Sequence, residues 1–446
     1  MKNIIINLLF GVVAFVPVSL IAQMGQPYEM IVNGVKVIVQ PSNNDIVVVQ
    51  TVIKGGVQNY KASNAGIESL AITGLSECGT VQDDKNSFKN KLDKVSARVS
   101  GSSGMDYSNF NLNCIKSDFE TVWPLYAAAL STPLFDKREF ERVKQDAINT
   151  IRANESNPDA AIDNMSRQNA FAGKKYAIDP AGTVASVTTL TAEVVKQYWK
   201  TLLKRSRMVI IIVGDLDKEM VRTKVSALTS QIEQGLPFRS VKESYAPVAN
   251  TFKPMMRDNA TNYVQGITAG PQPGTPEFNA FVLAMRIFSN RHFIEIRSKN
   301  GLSYAPGAWF SAGTTSYANI YVTTTEPDKY IAVARQLIDE VKKNGFTAEE
   351  LKNEKTGYLT GIYYRQETNE AQANSLASNE VIHGNWRRSS TINDDMKKVS
   401  VADINNAFKK YITNITWSYQ GDPKKVNPAL YTQKTTPALP TEKKGF

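Results

Sequence analysis

A weak internal repeat constrains this chain more than any other feature. The segment Asp136–Lys144 resembles Thr347–Lys355. Each reads as a turn followed by a helix start, with acidic residues in the first turn. Farther on, Thr191–Tyr198 leads into the apolar run Met208–Val213 and then Gly214-Asp215, while Val401–Phe408 leads into Trp417–Tyr419 and then Gly421-Asp422. Both pairs sit at nearly the same spacing, so the chain reads as two homologous halves of about 210 residues, a duplication rather than a solenoid.

Within each half, strands precede helices. Val35–Gln40 and Ile46–Ile53 are β-branched runs split by Ser42–Asp45, and Tyr317–Thr325 reads as a strand. Asp118–Leu130 and Glu139–Arg152 have helical spacing. Ile331, Ala334, Leu337, Ile338 and Val341 mark one helix face that stops at Gly345. The expected class is α+β, with two homologous domains, each a mainly antiparallel sheet carrying helices on one face. Gly235–Arg257 holds Pro237, Pro247 and Pro254 and reads as a linker. The expected organisation is therefore 1–22 signal peptide, 23–234 first domain, 235–257 linker, 258–426 second domain and 427–446 flexible tail.

The first 22 residues set Lys2 before an apolar run that ends at Ala22, the pattern of a cleaved secretory signal. An uncleaved anchor is the other reading of so long a run. Export to the periplasm is expected, with secretion as the alternative. That route permits a disulfide, and Cys78 and Cys114 either pair or remain two buried thiols. The formal charge is +10, but the basic residues are scattered without an aromatic-basic motif, so no nucleic-acid partner is expected.

Gly55–Tyr60, Gly66–Leu75 and Gly79-Thr80, with Asn33–Val37, Pro133–Phe135 and Val213–Asp215, together resemble the insulinase/pitrilysin family of zinc metallopeptidases in its short, mitochondrial-processing-peptidase-like form. The resemblance runs over roughly residues 28 to 426. Active members carry His-x-x-Glu-His on the helix after the Gly-Ile. The two histidines, four apart on one helix face, bind zinc, the Glu between them activates the metal-bound water, and a Glu on a later helix is the third ligand. Ser69, Ile72 and Thr73 stand at the motif positions here, and Thr150, beside Asn149, stands at the third-ligand position. No histidine precedes His292, so the first half cannot build the site, and no metal or other cofactor is expected on this chain. Ser69 as a nucleophile lacks a base, because His292 and His383 both lie in the second half.

Arg291–Tyr304 resembles the segment with which the family's zinc-free half faces the zinc half. The resemblance implies that Arg297 and Tyr304 contact substrate peptide and help hold the scissile carbonyl. Arg297 supplies fixed charge and several donors, Tyr304 a hydroxyl where oxyanion charge develops, and Gly301 a left-handed turn. Taken without the resemblance, Arg297 would sit in a surface ion pair and Tyr304 in the core. Pro306, just past Tyr304, interrupts the expected strand. His292 reads as a structural histidine, Asp215 and Asp217 as loop acids, and Gly270–Gly274 as a turn rather than a phosphate loop.

The resemblance implies a non-catalytic subunit that supplies Arg297 and Tyr304 to the zinc site of a separate active chain acting on unfolded peptides. The zinc would belong to that partner. A homodimer is a further assembly open to the chain. The competing expectation is an inactive binding or structural protein of the same fold with no proteolytic partner.

Overall fold

The computed structural model describes residues 25–434. The expected signal segment and the last residues of the expected tail lie outside the described residues. The first half contains β1 (Tyr28–Val32), β2 (Val35–Gln40), β3 (Ile46–Lys54), β4 (Arg98–Ser103), β5 (Tyr107–Ile115) and β6 (Met208–Val213). Its helices are α1 (Ile67–Glu77), α2 (Lys85–Asp93), α3 (Phe119–Ser131), α4 (Lys137–Ser156), α5 (Pro158–Ala170), α6 (Val184–Thr188), α7 (Ala192–Leu202) and α8 (Lys218–Ser230). The second half contains β7 (Thr251–Met256), β8 (Asn262–Ala269), β9 (Gly307–Ser311), β10 (Tyr317–Thr324) and β11 (Ile415–Gly421). Its helices are α9 (Phe278–Phe293), α10 (Pro327–Asn344), α11 (Ala348–Arg365), α12 (Asn369–His383), α13 (Arg388–Lys398), α14 (Val401–Tyr411) and α15 (Pro428–Thr432). None of these helices is long and apolar enough to cross a membrane.

The two sheets repeat one topology. The first has the order β1-β2-β6-β3-β5-β4 and the second β7-β11-β8-β10-β9. In each, an early strand runs parallel to the last strand to enter the sheet, β2 with β6 and β7 with β11, and the other neighbours run antiparallel. The repeat seen in the sequence is a repeat of helix caps. Asp136 caps α4 as Thr347 caps α11, Asn157 caps α5 as Thr368 caps α12, and Thr191 caps α7 as Ser400 caps α14. Such short polar side chains accept the orphan N–H groups of a first helical turn, which is why they recur where the backbone recurs.

Each half packs its own helices on one sheet face, as expected. The opposite faces are covered by exchange. α12 lays Ala373, Leu376 and Ala377 on the first sheet, against Ile38, Val48, Val52, Val209, Ile211 and Val213. α5 of the first half lies in turn on β8 and β11 of the second. The exchange explains why every residue of β6 is buried: both faces are covered, so the strand is apolar throughout instead of alternating. Polar contacts tie both interfaces: under α12, Gln50 donates to Asn374 (2.9 Å) and Lys36 pairs with Glu380 (2.6 Å). Under α5 the contacts are polar, with Asn169 donating to Ser418 (2.8 Å) and Gln265 to Asp163 (3.0 Å).

Two expected limits shift. The linker ends sooner, because Thr251–Met256 is β7. Pro254 is tolerated there because β7 is an edge strand, where a missing N–H removes no ladder bond. The expected flexible tail begins with an ordered turn: α15 buries Tyr431 completely, its ring 4.4 Å from that of Phe252. Asn427 and Pro428 read as loop residues in the sequence, yet they are the cap and first residue of that helix.

Candidate functional site

α1 begins at Gly66, whose φ of 90° and close approach to Val187 and Ala181 leave no room for a Cβ. The helix then presents Ser69 and Thr73 half-buried on one face, with Ile72 fully buried. Ile72 packs on β4 so closely that a Cβ on Gly101 would collide with its Cγ2. The place of a water-activating carboxylate is thus filled by hydrocarbon. Thr150 is exposed on α4 and returns its hydroxyl to the carbonyl of Asp146, at 3.0 Å. These four side chains offer neutral hydroxyls and an alkyl group where zinc requires imidazole and carboxylate. Among the described residues no group of three His, Cys, Asp or Glu is placed to hold a metal ion.

One buried carboxylate does lie here, at a position that no motif in the sequence singles out. Glu68, next to Ser69, is fully buried and accepts hydrogen bonds from Ser108 (2.5 Å), Tyr198 (2.6 Å) and Asn59 (2.9 Å). Arg207 donates to Asn59 from behind (2.7 Å). Burial pushes the Glu68 carboxyl above its usual range, and the three donors and Arg207 partly oppose this. The cluster ties α1 to β5, α7 and the turn after β3. Its signal in the sequence was one acid inside an otherwise apolar helix start, Ile67-Glu68-Ser69-Leu70-Ala71-Ile72.

In the second half, α9 continues as a π-helical stretch, Ile294–Lys299. Such widened turns recur at functional sites. The stretch carries Arg297, and the loop after it turns through Gly301 at a φ of 62°, with open space around it. Conformation rather than crowding therefore favours glycine there. Tyr304 is 78% exposed. The Arg297 guanidinium lies 4.0 Å from the Tyr304 ring centroid and 5.1 Å from that of Phe293, and donates to the Tyr304 carbonyl at 3.1 Å. Among the described residues no carboxylate lies within 4 Å of Arg297, so the ion-pair reading of Arg297 and the core reading of Tyr304 both fail. Pro306 ends the loop immediately before β9, the free edge of the second sheet. Arg297, Gly301 and Tyr304 are thus brought together at one end of a sheet edge, while Ser69, Ile72, Thr73 and Thr150 belong to the other half.

The remaining candidates are structural. His292 is wholly buried, stacked on Phe288, with Nε2 3.1 Å from the Tyr330 hydroxyl. Burial drives its pKa down to about 3. Asp217 caps α8 and Asp215 pairs with Lys116 at the surface. Cys78 and Cys114 are both free and buried, each thiol pushed up to about 12 by desolvation.

The architecture and the erased motif define a class: a duplicated metallopeptidase-type fold without a zinc site. Residues 36–183 match the model of the insulinase peptidase family M16, and residues 189–358 match that of the peptidase M16 inactive domain. The chain belongs to peptidase family M16, as a member without the family's zinc ligands. It is 20% identical over 440 residues to the non-peptidase homolog YmxG of Helicobacter pylori, covering 95% of this chain and 100% of that one. It is 19% identical over 381 residues to an uncharacterized zinc protease of Rickettsia felis, covering 84% and 92%. A crystal structure of a peptidase M16 inactive domain from Pseudomonas fluorescens superposes with a TM-score of 0.80 at 16% identity, covering 89% of this chain and 98% of that one.

Proposed function

We propose that this chain is the non-catalytic, peptide-binding subunit of a two-chain zinc metallopeptidase, exported with its partner to the periplasm. The partner would be a family member carrying His-x-x-Glu-His, and the zinc would be held there. The observation that carries this reading is an asymmetry: Ser69, Ile72, Thr73 and Thr150 abolish the metal chemistry, while a half-buried Arg297 and an exposed Tyr304 stack on each other beside a free sheet edge. An unpaired guanidinium and a phenol at such an edge can hold an extended peptide, whose backbone would add to β9 by strand pairing. In the assembled pair, Arg297 would donate to peptide carbonyls and Tyr304 would stabilise charge on the scissile oxygen. The test is turnover of a reconstituted complex. Arg297→Ala combined with Tyr304→Phe should lower kcat/KM by about 100-fold, from two lost charge-stabilising donors. Unchanged turnover would remove the assignment.

A second reading is a peptide-binding or structural protein without a proteolytic partner. The likeness to a relative named a non-peptidase homolog favours it. The stacked Arg297–Tyr304 pair would then serve as a grip alone.

A further inference from the structure

A cavity of about 1200 Å³ runs along α9 in the second half. Phe278 and Phe293, the first and last residues of that helix, both line it. At 1.5 Å per residue the helix spans roughly 22 Å, the length of six or seven extended residues at about 3.3 Å each. β9 forms one wall, and α11, α12 and α13 close the rest. The ends differ. At one end Phe293 carries the Arg297 guanidinium on its ring, so the cavity opens beside the Arg297–Tyr304 segment. At the other end stand Phe278, His383 and Arg388.

Arg388 is the feature that identifies a ligand. Its guanidinium is half-buried, lies 5.6 Å from the Phe278 ring centroid and donates to the Asn279 side chain. Among the described residues no carboxylate comes within 4 Å of it. Arg286, midway along the same cavity, is paired with Glu354. The far end of the cavity therefore holds a cation with no direct ion-pair partner, Asp395 acting on it only from longer range. His383 adds no charge near neutral pH, because burial and the Arg388 and Lys242 charges hold its pKa down to about 4. A desolvated, unpaired guanidinium is costly, and an incoming anion recovers that cost. The Phe278 and His383 rings meet edge to face at 5.0 Å beside the guanidinium. A chain terminus brings a carboxylate and an apolar side chain to such a place on one residue.

From this geometry we infer that the cavity binds the carboxyl-terminal end of a short extended peptide, its terminal carboxylate on Arg388 and its chain running towards Arg297 and Tyr304. The inference rests on the peptide-binding reading above and adds a direction and a length to it.

The test is fluorescence anisotropy of the mature chain with a heptapeptide of alanine and leucine ending in phenylalanine, labelled at its amino end. The peptide is used as the free acid, as the carboxamide, and as a carboxamide whose last residue is aspartate. The free acid should bind about tenfold tighter than either carboxamide, as expected for a charge-assisted hydrogen bond. Arg388→Gln should bring the three affinities together, while Arg297→Ala should weaken all of them alike. Equal binding of acid and carboxamide to the unmodified protein would overturn the carboxylate site and leave the peptide reading standing. An aspartate carboxamide as tight as the acid would overturn the assignment to a chain terminus. No binding of any form would overturn both readings. The comparison on unmodified protein holds even if Arg388→Gln fails to fold.

Discussion

The Arg297 guanidinium lies over the Tyr304 ring, 4.0 Å from its centroid, with one N–H given to the Tyr304 carbonyl. The arrangement fixes a half-buried and an exposed side chain in one geometry without consuming their outward-facing polar groups. It is pre-organisation at the surface, where ordering long side chains otherwise costs binding energy. Tyr304→Ala should change stability by no more than about 1 kcal/mol, the scale of an exposed cation–π contact. It should nevertheless weaken peptide binding several-fold. A urea titration and a binding isotherm on the same preparation separate the two effects, and a large stability loss with unchanged binding would show a merely structural role.

The Glu68 cluster predicts a different balance. Tyr198→Phe removes one of three donors from a fully buried acceptor. It should cost about 1.5–3 kcal/mol, the range for a hydrogen bond to a charged group, with peptide affinity unchanged. Because the Glu68 pKa is raised in the fold, the stability linked to its protonation is greatest below the unfolded carboxyl pKa and is lost as pH rises through the folded value. Removing the Tyr198 donor should deepen that loss. Urea midpoints for both proteins across pH 4 to 8 check the sign.

His292 acts in the opposite direction. Its pKa is about 3 in the fold and about 6.5 when unfolded. The unfolded chain therefore takes up the proton first, and stability contributed by the neutral ring is lost as pH falls from about 6.5 towards 3. The slope should approach about 1.4 kcal/mol per pH unit from this residue. His292→Gln, which can still meet the Tyr330 hydroxyl, should flatten the profile in that window. An unchanged slope would assign the acid sensitivity elsewhere.

The exchange of α5 and α12 predicts that the halves unfold together. Ala377 is wholly buried against the first sheet although it belongs to the second half. Ala377→Asp should cost about 3 kcal/mol or more, as an unpaired charge forced into an apolar interface. Amide exchange should then accelerate in β6 as well as in α12. Acceleration confined to α12 would show the halves to be independent.

The sequence made the duplication legible because cap residues and strand-bounding Gly-Asp pairs recur wherever the backbone does. It made the loss of the zinc site legible because ligand chemistry depends on residue type. It did not show the exchanged helices. Nothing in Pro158–Ala170 or Asn369–His383 says which sheet a helix will cover, since that depends on how the halves close on each other. Pro254 and Pro428 misled for one reason: a proline marks a missing N–H, which an edge strand and a first helical turn tolerate as readily as a loop. The stacking of Arg297 on Tyr304 depends on the π-helical turn and on Gly301, and residue spacing alone does not fix it. Arg388 gave no signal, because its isolation is a property of the folded cavity.

The measurement that bears most directly on the proposed role is recovery of the tagged mature protein from its native extract, with the zinc content of whatever accompanies it. A stoichiometric partner chain bearing His-x-x-Glu-His, with about one zinc per pair, is the predicted result. A zinc-free protein that emerges alone, or with partners lacking that motif, would contradict the two-chain peptidase and leave Arg297 and Tyr304 as a peptide grip.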